Sequence, residues 1–183
     1  MSTTTATVKV AVSLFEKACV YMVNQILRIG LRLEHCRLPG GHYMQDYLEV
    51  ITRGLTVWVT EMTLEKVYFE LYSPTTNEAY ERCEVPIAYI DDPTEEVVKV
   101  KMEELEAFLG RLGQLAPDAK FGVFVSVKAG HSEVPGWQMG ERLKDFAGGV
   151  KEEHEIGTEH GYGPVKGRMK YSVSNWQQGR QDA

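Results

Sequence analysis

Few residues in this chain have types and spacings that could do chemistry. His35, Cys36 and His42 offer imidazole and thiolate, both of which suit zinc. Their spacing matches no common zinc site and no fourth ligand is evident, so a turn holding a half-buried cysteine explains them better, and no metal or other cofactor is expected. His131, His154 and His160 sit in a glycine-rich, acidic stretch and read as solvated. Gly161-Tyr-Gly-Pro-Val-Lys-Gly167 has the glycines and lysine of a phosphate cradle. It lacks the Walker spacing and the Lys-Ser/Thr ending, and it precedes a predicted strand where a phosphate loop precedes a helix. Glu152, Glu153 and Glu155 could serve as paired carboxylates, but nothing apolar surrounds them to raise a pKa, which points to an acidic, solvated loop. The row Lys166, Arg168, Lys170 could touch phosphates, or be the charged solvent face of an edge strand. Trp137, after Val134-Pro135-Gly136, is either a stacking aromatic or an anchor that pins a long loop. No nucleophile elbow, kinase or metalloprotease motif is present. With no catalytic set in view, the chain is not expected to be an enzyme.

The elements that would position these residues follow from periodicity. Ser13-Leu-Phe-Glu16 reads as a capping box. Phe15, Cys19, Met22, Ile26 and Ile29 then recur at helical spacing, with Val20, Val23 and Leu27 making other faces apolar. A helix greasy on most sides belongs at the centre of a fold. After the Leu38-Pro-Gly-Gly turn, Met44, Tyr47, Leu48, Ile51, Leu55, Trp58, Val59 and Met62 form a second helical stripe. Gly54 inside it costs about 1 kcal/mol relative to Ala, which suggests a kink or a strand-like end. Leu64–Ser73 and Ala79–Ile90 alternate around a Pro74–Asn77 turn and predict an antiparallel hairpin, with Pro86 marking an edge or a bulge. Asp92-Pro-Thr-Glu95 caps a third helix carrying Val98, Met102, Leu105, Phe108, Leu109 and Leu112. Lys120–Lys128 is a strand, with Phe121, Val123, Val125 and Val127 on one face and Phe124 on the other. Ala129–Gly163 reads as a long loop, functional or disordered, and Val165–Val173 as a closing strand.

At 183 residues the chain is one ordinary domain or at most a domain with an appendage. Twenty basic and 26 acidic residues give a net charge of −6, without the basic footprint of a nucleic-acid-binding domain, so direct nucleic-acid binding ranks last among the readings. Cys19, Cys36 and Cys83 form no CxxC pair and no even framework, which fits a reducing, cytoplasmic location. Met1–Ala6 is polar and unlike a secretory signal. The most apolar stretch, Ala18–Leu27, contains Asn24 and Gln25 and is too short to span a bilayer, so no membrane partner is expected.

The order of these elements resembles the HORMA domain, the fold of spindle-checkpoint and meiotic-axis adaptors. Ser13–Leu27 is similar to its central first helix, Trp58–Ser73 to its second helix running into a hairpin strand, and Glu78–Ile90 to the hairpin's return. Thr94–Lys128 is similar to its third helix and following strand. His131-Ser-Glu-Val-Pro-Gly-Trp137 resembles the start of its C-terminal safety belt, and Val165–Val173 its last strand. The chain is shorter than the eukaryotic members, with a more acidic belt, and is most like the bacterial HORMA proteins of CBASS anti-phage systems.

The resemblance implies an α+β fold: central helices on a mainly antiparallel sheet, with a belt segment. It divides one domain, residues 1–183, into a flexible handle (1–7), a core (8–128), a belt (129–175) and a tail (176–183). It implies a peptide-binding conformational switch that wraps its belt around a closure-motif peptide added as a strand. The implied peptide-binding residues are Phe121, Val123, Phe124, Val125 and Val127 of the receiving strand, with Trp137, Met169 and Tyr171 of the belt. The closed form is implied to bind and activate a cGAS/DncV-like nucleotidyltransferase. An AAA+ remodelling ATPase would reopen it by pulling the handle at Ser2, Thr3, Thr4 and Thr5. A second HORMA protein is a further candidate partner. The competing reading is a small α+β enzyme or ligand-binding domain with its site under the 129–163 loop.

Overall fold

In the computed structural model, residues 41–87, 99–100, 102–112, 116, 119–156, 158–159 and 169–175 are described. The capping box at Ser13, the first helix, the His35/Cys36 pair, the handle Ser2–Thr5 and the basic residues Lys166 and Arg168 lie outside them.

Helix α1 (Gly41–Thr60) is the stripe predicted from Met44 onward. Ile51, Leu55, Trp58 and Val59 return every three or four residues and are buried against the sheet. The helix runs through Gly54 without the expected break. It ends in a Schellman arrangement: the Met62 amide donates to Val59 O at 2.9 Å and the Thr63 amide to Trp58 O at 2.9 Å. Met62 takes the left-handed position usually given to glycine (φ 56°), and its side chain is exposed rather than continuing the apolar stripe.

The hairpin forms as expected from strands β1 (Leu64–Tyr72) and β2 (Ala79–Pro86). Its turn is tied by Ser73 Oγ, which accepts from the amides of Thr75 and Thr76 at 3.2 Å each. The predicted Asp92 cap of the third helix lies outside the described residues, and Lys99–Val100, expected inside that helix, is extended. Residues 88–98 are outside the described set, Lys99–Val100 is a short strand, β3, and helix α2 covers Met102–Arg111. Valine alternating with lysine at this point favours extended chain, while Glu103 and Glu104 in the first turn and Arg111 in the last suit the dipole of the shorter helix. Strand β4 (Lys120–Val127) follows, as predicted.

The expected 129–163 loop contains structure. Residues 150–156 form strand β5 (Val150–Ile156) and residues 158–159 strand β6 (Thr158–Glu159), before strand β7 (Met169–Ser174). Five strands make one antiparallel sheet in the order β4-β1-β2-β7-β5, and β3 pairs with β6 apart from it. So β7 is an interior strand, and Lys170 pairs with Glu153 of the neighbouring β5 at 2.5 Å rather than guarding an edge. Strand β2 is interior too. Pro86 is tolerated because the β7 pairing stops at Glu84, two residues before it.

One sheet face is apolar apart from the buried Glu81. Val67, Phe69, Leu71, Cys83, Tyr171 and Val173 point from it into the core shared with α1 and Phe108 of α2. The opposite face carries Lys66, Tyr68, Glu70, Tyr72, Arg82, Glu84, Gly122 and Phe124, as the register shows.

Candidate functional site

The chain leaving β4 runs antiparallel along α1. The Lys128 amide donates to Thr63 O at 2.8 Å, and His131 Nδ1 lies 2.9 Å from Lys128 O. Glu61, one turn beyond Trp58, receives both the Ser132 amide, at 3.0 Å, and the Ser132 hydroxyl. These two bonds hold the Glu61 carboxyl below the ordinary carboxylate range. Trp58 Nε1 donates to Ser132 O at 2.8 Å, and Arg53 donates to Pro135 O at 3.1 Å. Trp137 then turns its indole onto the helix: Nε1 donates to Val50 O at 2.9 Å, and the ring meets Trp58 edge-on, centroids 4.9 Å apart. Positions 50, 53, 54, 58 and 61 are neighbours on one helix face, so a single stripe of α1 holds this stretch. Gly54 belongs to that stripe. A Cβ there would stand 2.2 Å from Trp137 Nε1, so the glycine is the notch in which the indole lies.

After Trp137 the segment passes β4 and crosses the opposite sheet face. The Lys144 amide donates to Glu70 at 3.2 Å, Arg82 donates to Lys144 O, and the Lys144 ammonium lies 4.2 Å from the Tyr72 ring centre and 4.8 Å from that of Phe124. Beneath the crossing, Glu70 is wholly buried and paired with Arg82, Nε to Oε1 at 2.8 Å, and the Arg82 guanidinium stacks on Phe146. Two backbone bonds finish the crossing: Ala79 amide to Asp145 O at 2.7 Å, and Ala147 amide to Ala79 O at 3.0 Å. Gly148 and Gly149, both at positive φ, then reverse the chain into β5.

A cavity of about 240 Å³ lies where the segment rounds β4. It is lined by Val50 and Ile51 of α1, Val123, Phe124 and Val125 of β4, and residues 136–141 of the segment. Of the residues expected to hold a peptide, Val123, Phe124, Val125 and Trp137 therefore meet at one place, with Phe121 and Val127 on the same strand to either side. The structure does not bring Met169 and Tyr171 there. Both lie on β7, with β1 and β2 between them and β4. Tyr171 is a core residue whose hydroxyl donates to the buried Glu81 at 2.5 Å and whose ring meets Phe108 edge-on. Four residues of this arrangement were not read as site residues in the sequence: Glu61, Glu70, Arg82 and Lys144. Gly54 was read only as a costly glycine in a helix.

The other groups weighed for chemistry are placed as follows. His154 is half-buried, stacked on Phe108 with centroids 4.6 Å apart and 3.5 Å from Glu104. Glu152, Glu153 and Glu155 are exposed on β5. Cys83 is enclosed in the core, and burial pushes its thiol far above the range in which a thiolate forms. Among the described residues no three of His, Cys, Asp and Glu stand together as metal ligands, and no helix is long and apolar enough to cross a membrane.

Comparison with known proteins gives the following. The family model for bacterial HORMA domain 2 matches residues 6–173. A chain of the CdnC:HORMA-deltaN complex of E. coli MS115-1 superposes with a TM-score of 0.54 at 13% identity, covering 90% of this chain and 89% of that one. A chain of the HORMA:CdnC:Trip13 complex from the same source gives 0.51 at 11% identity, covering 90% of each. HTP-2 bound to HTP-3 motif-6 gives 0.51 at 9% identity, covering 71% of this chain and 69% of that one. A search of curated proteins finds no match. Identities this low show a shared fold and nothing finer.

Proposed function

The chain belongs to the bacterial HORMA domain 2 family, and from that premise we propose that it is a peptide-binding switch that takes an extended peptide as an added strand along β4. The path of residues 128–149 carries this reading. They are fixed on α1 by Glu61, Trp58 and Val50, bow around β4 beside the cavity, and are fixed again on the far face by Glu70 and Arg82. A segment tied down on both faces of a sheet and bowed around its end strand can enclose a strand laid there. Main-chain ladder bonds would give affinity, and the cavity would select side chains. In this reading residues 129–175 are the belt around a core of 8–128, and 1–7 the handle.

The E. coli relatives are seen with CdnC and with Trip13. By analogy, the closed form of this chain binds and activates a cGAS/DncV-like nucleotidyltransferase in cytoplasmic anti-phage signalling. An AAA+ remodeller then reopens it through Ser2–Thr5, and the chain performs no chemistry itself. The cavity lies under the loop where the competing reading puts a small-molecule site. At about 240 Å³ it falls below the roughly 300–1,000 Å³ of sites that engulf a whole ligand, and it suits a side chain or two of a peptide.

The test is affinity capture from native lysate with the full chain, read by mass spectrometry, and limited proteolysis of the captured complex. The reading expects a nucleotidyltransferase or an extended peptide partner, with residues 136–141 more resistant to protease in the complex. Protection of that segment by a small-molecule fraction, with no peptide involved, would overturn it.

A further inference from the structure

The sheet has two end strands, β4 and β5, and among the described residues no strand follows β5 on its outer side. Val150, Lys151, Glu152, Glu153 and Glu155 are exposed there, and His154 is half-buried. Charge on an end strand usually keeps other chains away. On β5 the charges are ordered so that the strand complements itself. In an antiparallel pair related by a two-fold axis, residues equally far from the axis on either side face one another. With the axis at Glu153, Lys151 stands opposite Glu155 of the second copy, and Glu152 opposite His154 of the second copy. Val150 comes opposite position 156. Within the strand the like charges that meet are the two Glu153 carboxylates, and each is already paired with Lys170 of its own chain at 2.5 Å. Glu155 has a contact within its own chain too, but it is exposed, and the two oxygens of a carboxylate accept a second cation. Sliding the second copy by one or two residues either way sets Glu152 against Glu153, Glu155 or another Glu152, or Glu153 against Glu155. Cross-strand repulsion therefore leaves one favoured register.

We propose that two copies of this chain associate through β5, antiparallel about a two-fold axis at Glu153, and join their sheets into one. Main-chain bonds between the two β5 strands supply the contact. The Lys151–Glu155 pair, formed twice by symmetry, fixes the register, and the exposed Val150 is covered. His154 meets the second copy already held in place by the Phe108 ring and Glu104 of α2. One strand laid on its own copy buries less surface than a permanent dimer needs, so the association is reversible and depends on concentration. Strand β4 lies at the other end of the sheet. Both copies therefore keep the cavity beside it accessible, and the proposal holds whether or not a peptide is taken there.

Sedimentation velocity of the full chain over a concentration series at low salt tests the proposal, with Lys151→Glu and Glu155→Lys run separately and as an equal mixture. In either variant alone both cross-pairs become like-charged, and in a mixed dimer both are opposite again. The expectation is a reversible dimer of the parent chain, about tenfold weaker self-association of each variant, and recovery close to the parent in the mixture. A parent chain that stays monomeric throughout, a dimer that either variant leaves unchanged, or variants that do not recover on mixing overturn the proposal. Thermal unfolding confirms that both variants are folded. Hydrogen–deuterium exchange of the parent chain gives a second readout that needs no variant. As concentration rises, amides of residues 151–155 should gain protection while those of residues 123–125 on β4 do not change. Protection confined to other segments overturns the proposal.

Discussion

Replacing Gly54 by alanine should reverse the usual sign of that substitution. In a helix interior, glycine to alanine ordinarily stabilises by about 1 kcal/mol. Here the new Cβ would stand 2.2 Å from Trp137 Nε1 and 2.7 Å from Cε2, so the indole has to leave its notch. Its departure breaks the bond to Val50 O, which contributes about 1 kcal/mol. It also ends the edge-on contact with Trp58, at about 0.5–1.5 kcal/mol, and exposes part of a large ring, at about 1–2 kcal/mol more. Set against the gain in helix propensity, the net effect is a loss of about 2 kcal/mol. For a chain of 183 residues that lowers Tm by about 4–8 °C. Thermal unfolding followed by circular dichroism measures it, and a double-mutant cycle isolates the cause. In a Trp137→Ala background, G54A should become neutral or stabilising by up to about 1 kcal/mol. A G54A variant that is more stable than the parent, or equally destabilised with and without Trp137, would refute the notch.

Three further outcomes are expected. Arg82→Ala leaves the buried Glu70 carboxylate without its cation and frees the Lys144 carbonyl, and should cost about 3–5 kcal/mol in denaturant unfolding, with Arg82→Lys recovering only part. Met62→Gly places glycine at the left-handed helix end and removes an exposed apolar side chain, and should stabilise the chain by about 1 kcal/mol in the same assay. Glu61 is held below its unfolded pKa, so its tie to Ser132 is fully present above roughly pH 4.3 and is lost as pH falls through the lower folded value. Fluorescence of the Trp58–Trp137 pair should report that loosening in the parent chain, and the acid step should be weaker in Glu61→Gln.

Elements that carry their own periodicity were legible. The α1 stripe from Ile51 to Val59 and the hairpin around Pro74–Asn77 bury the face the pattern assigns, and β4 packs Phe121, Val123, Val125 and Val127, half-buried, against the core. Strand β5 was not, because Lys151-Glu-Glu-His-Glu155 has no apolar alternation, and its extension comes from pairing with β7. Glu70 falls on the polar face of β1, as its alternation says. It is nevertheless wholly buried, because residues 142–147 cross above it, and the path of a crossing segment leaves no mark in local periodicity. Trp137 was legible as an anchor, but its notch was not, since a glycine shows its cost in the sequence and not its neighbour. Tyr171 shared the alternation of a binding strand, yet the strand order puts two strands between it and the cavity.

The central claim is that an extended peptide joins β4 and is enclosed by the segment that rounds it. Hydrogen–deuterium exchange on the full chain, with and without a library-selected peptide, tests this most directly. The account predicts that amides of residues 123–125 and of residues 136–141 gain protection together, while those of residues 81–84 in the sheet interior do not change. Protection confined to other surfaces, or a bound peptide that leaves both stretches unchanged, would contradict it.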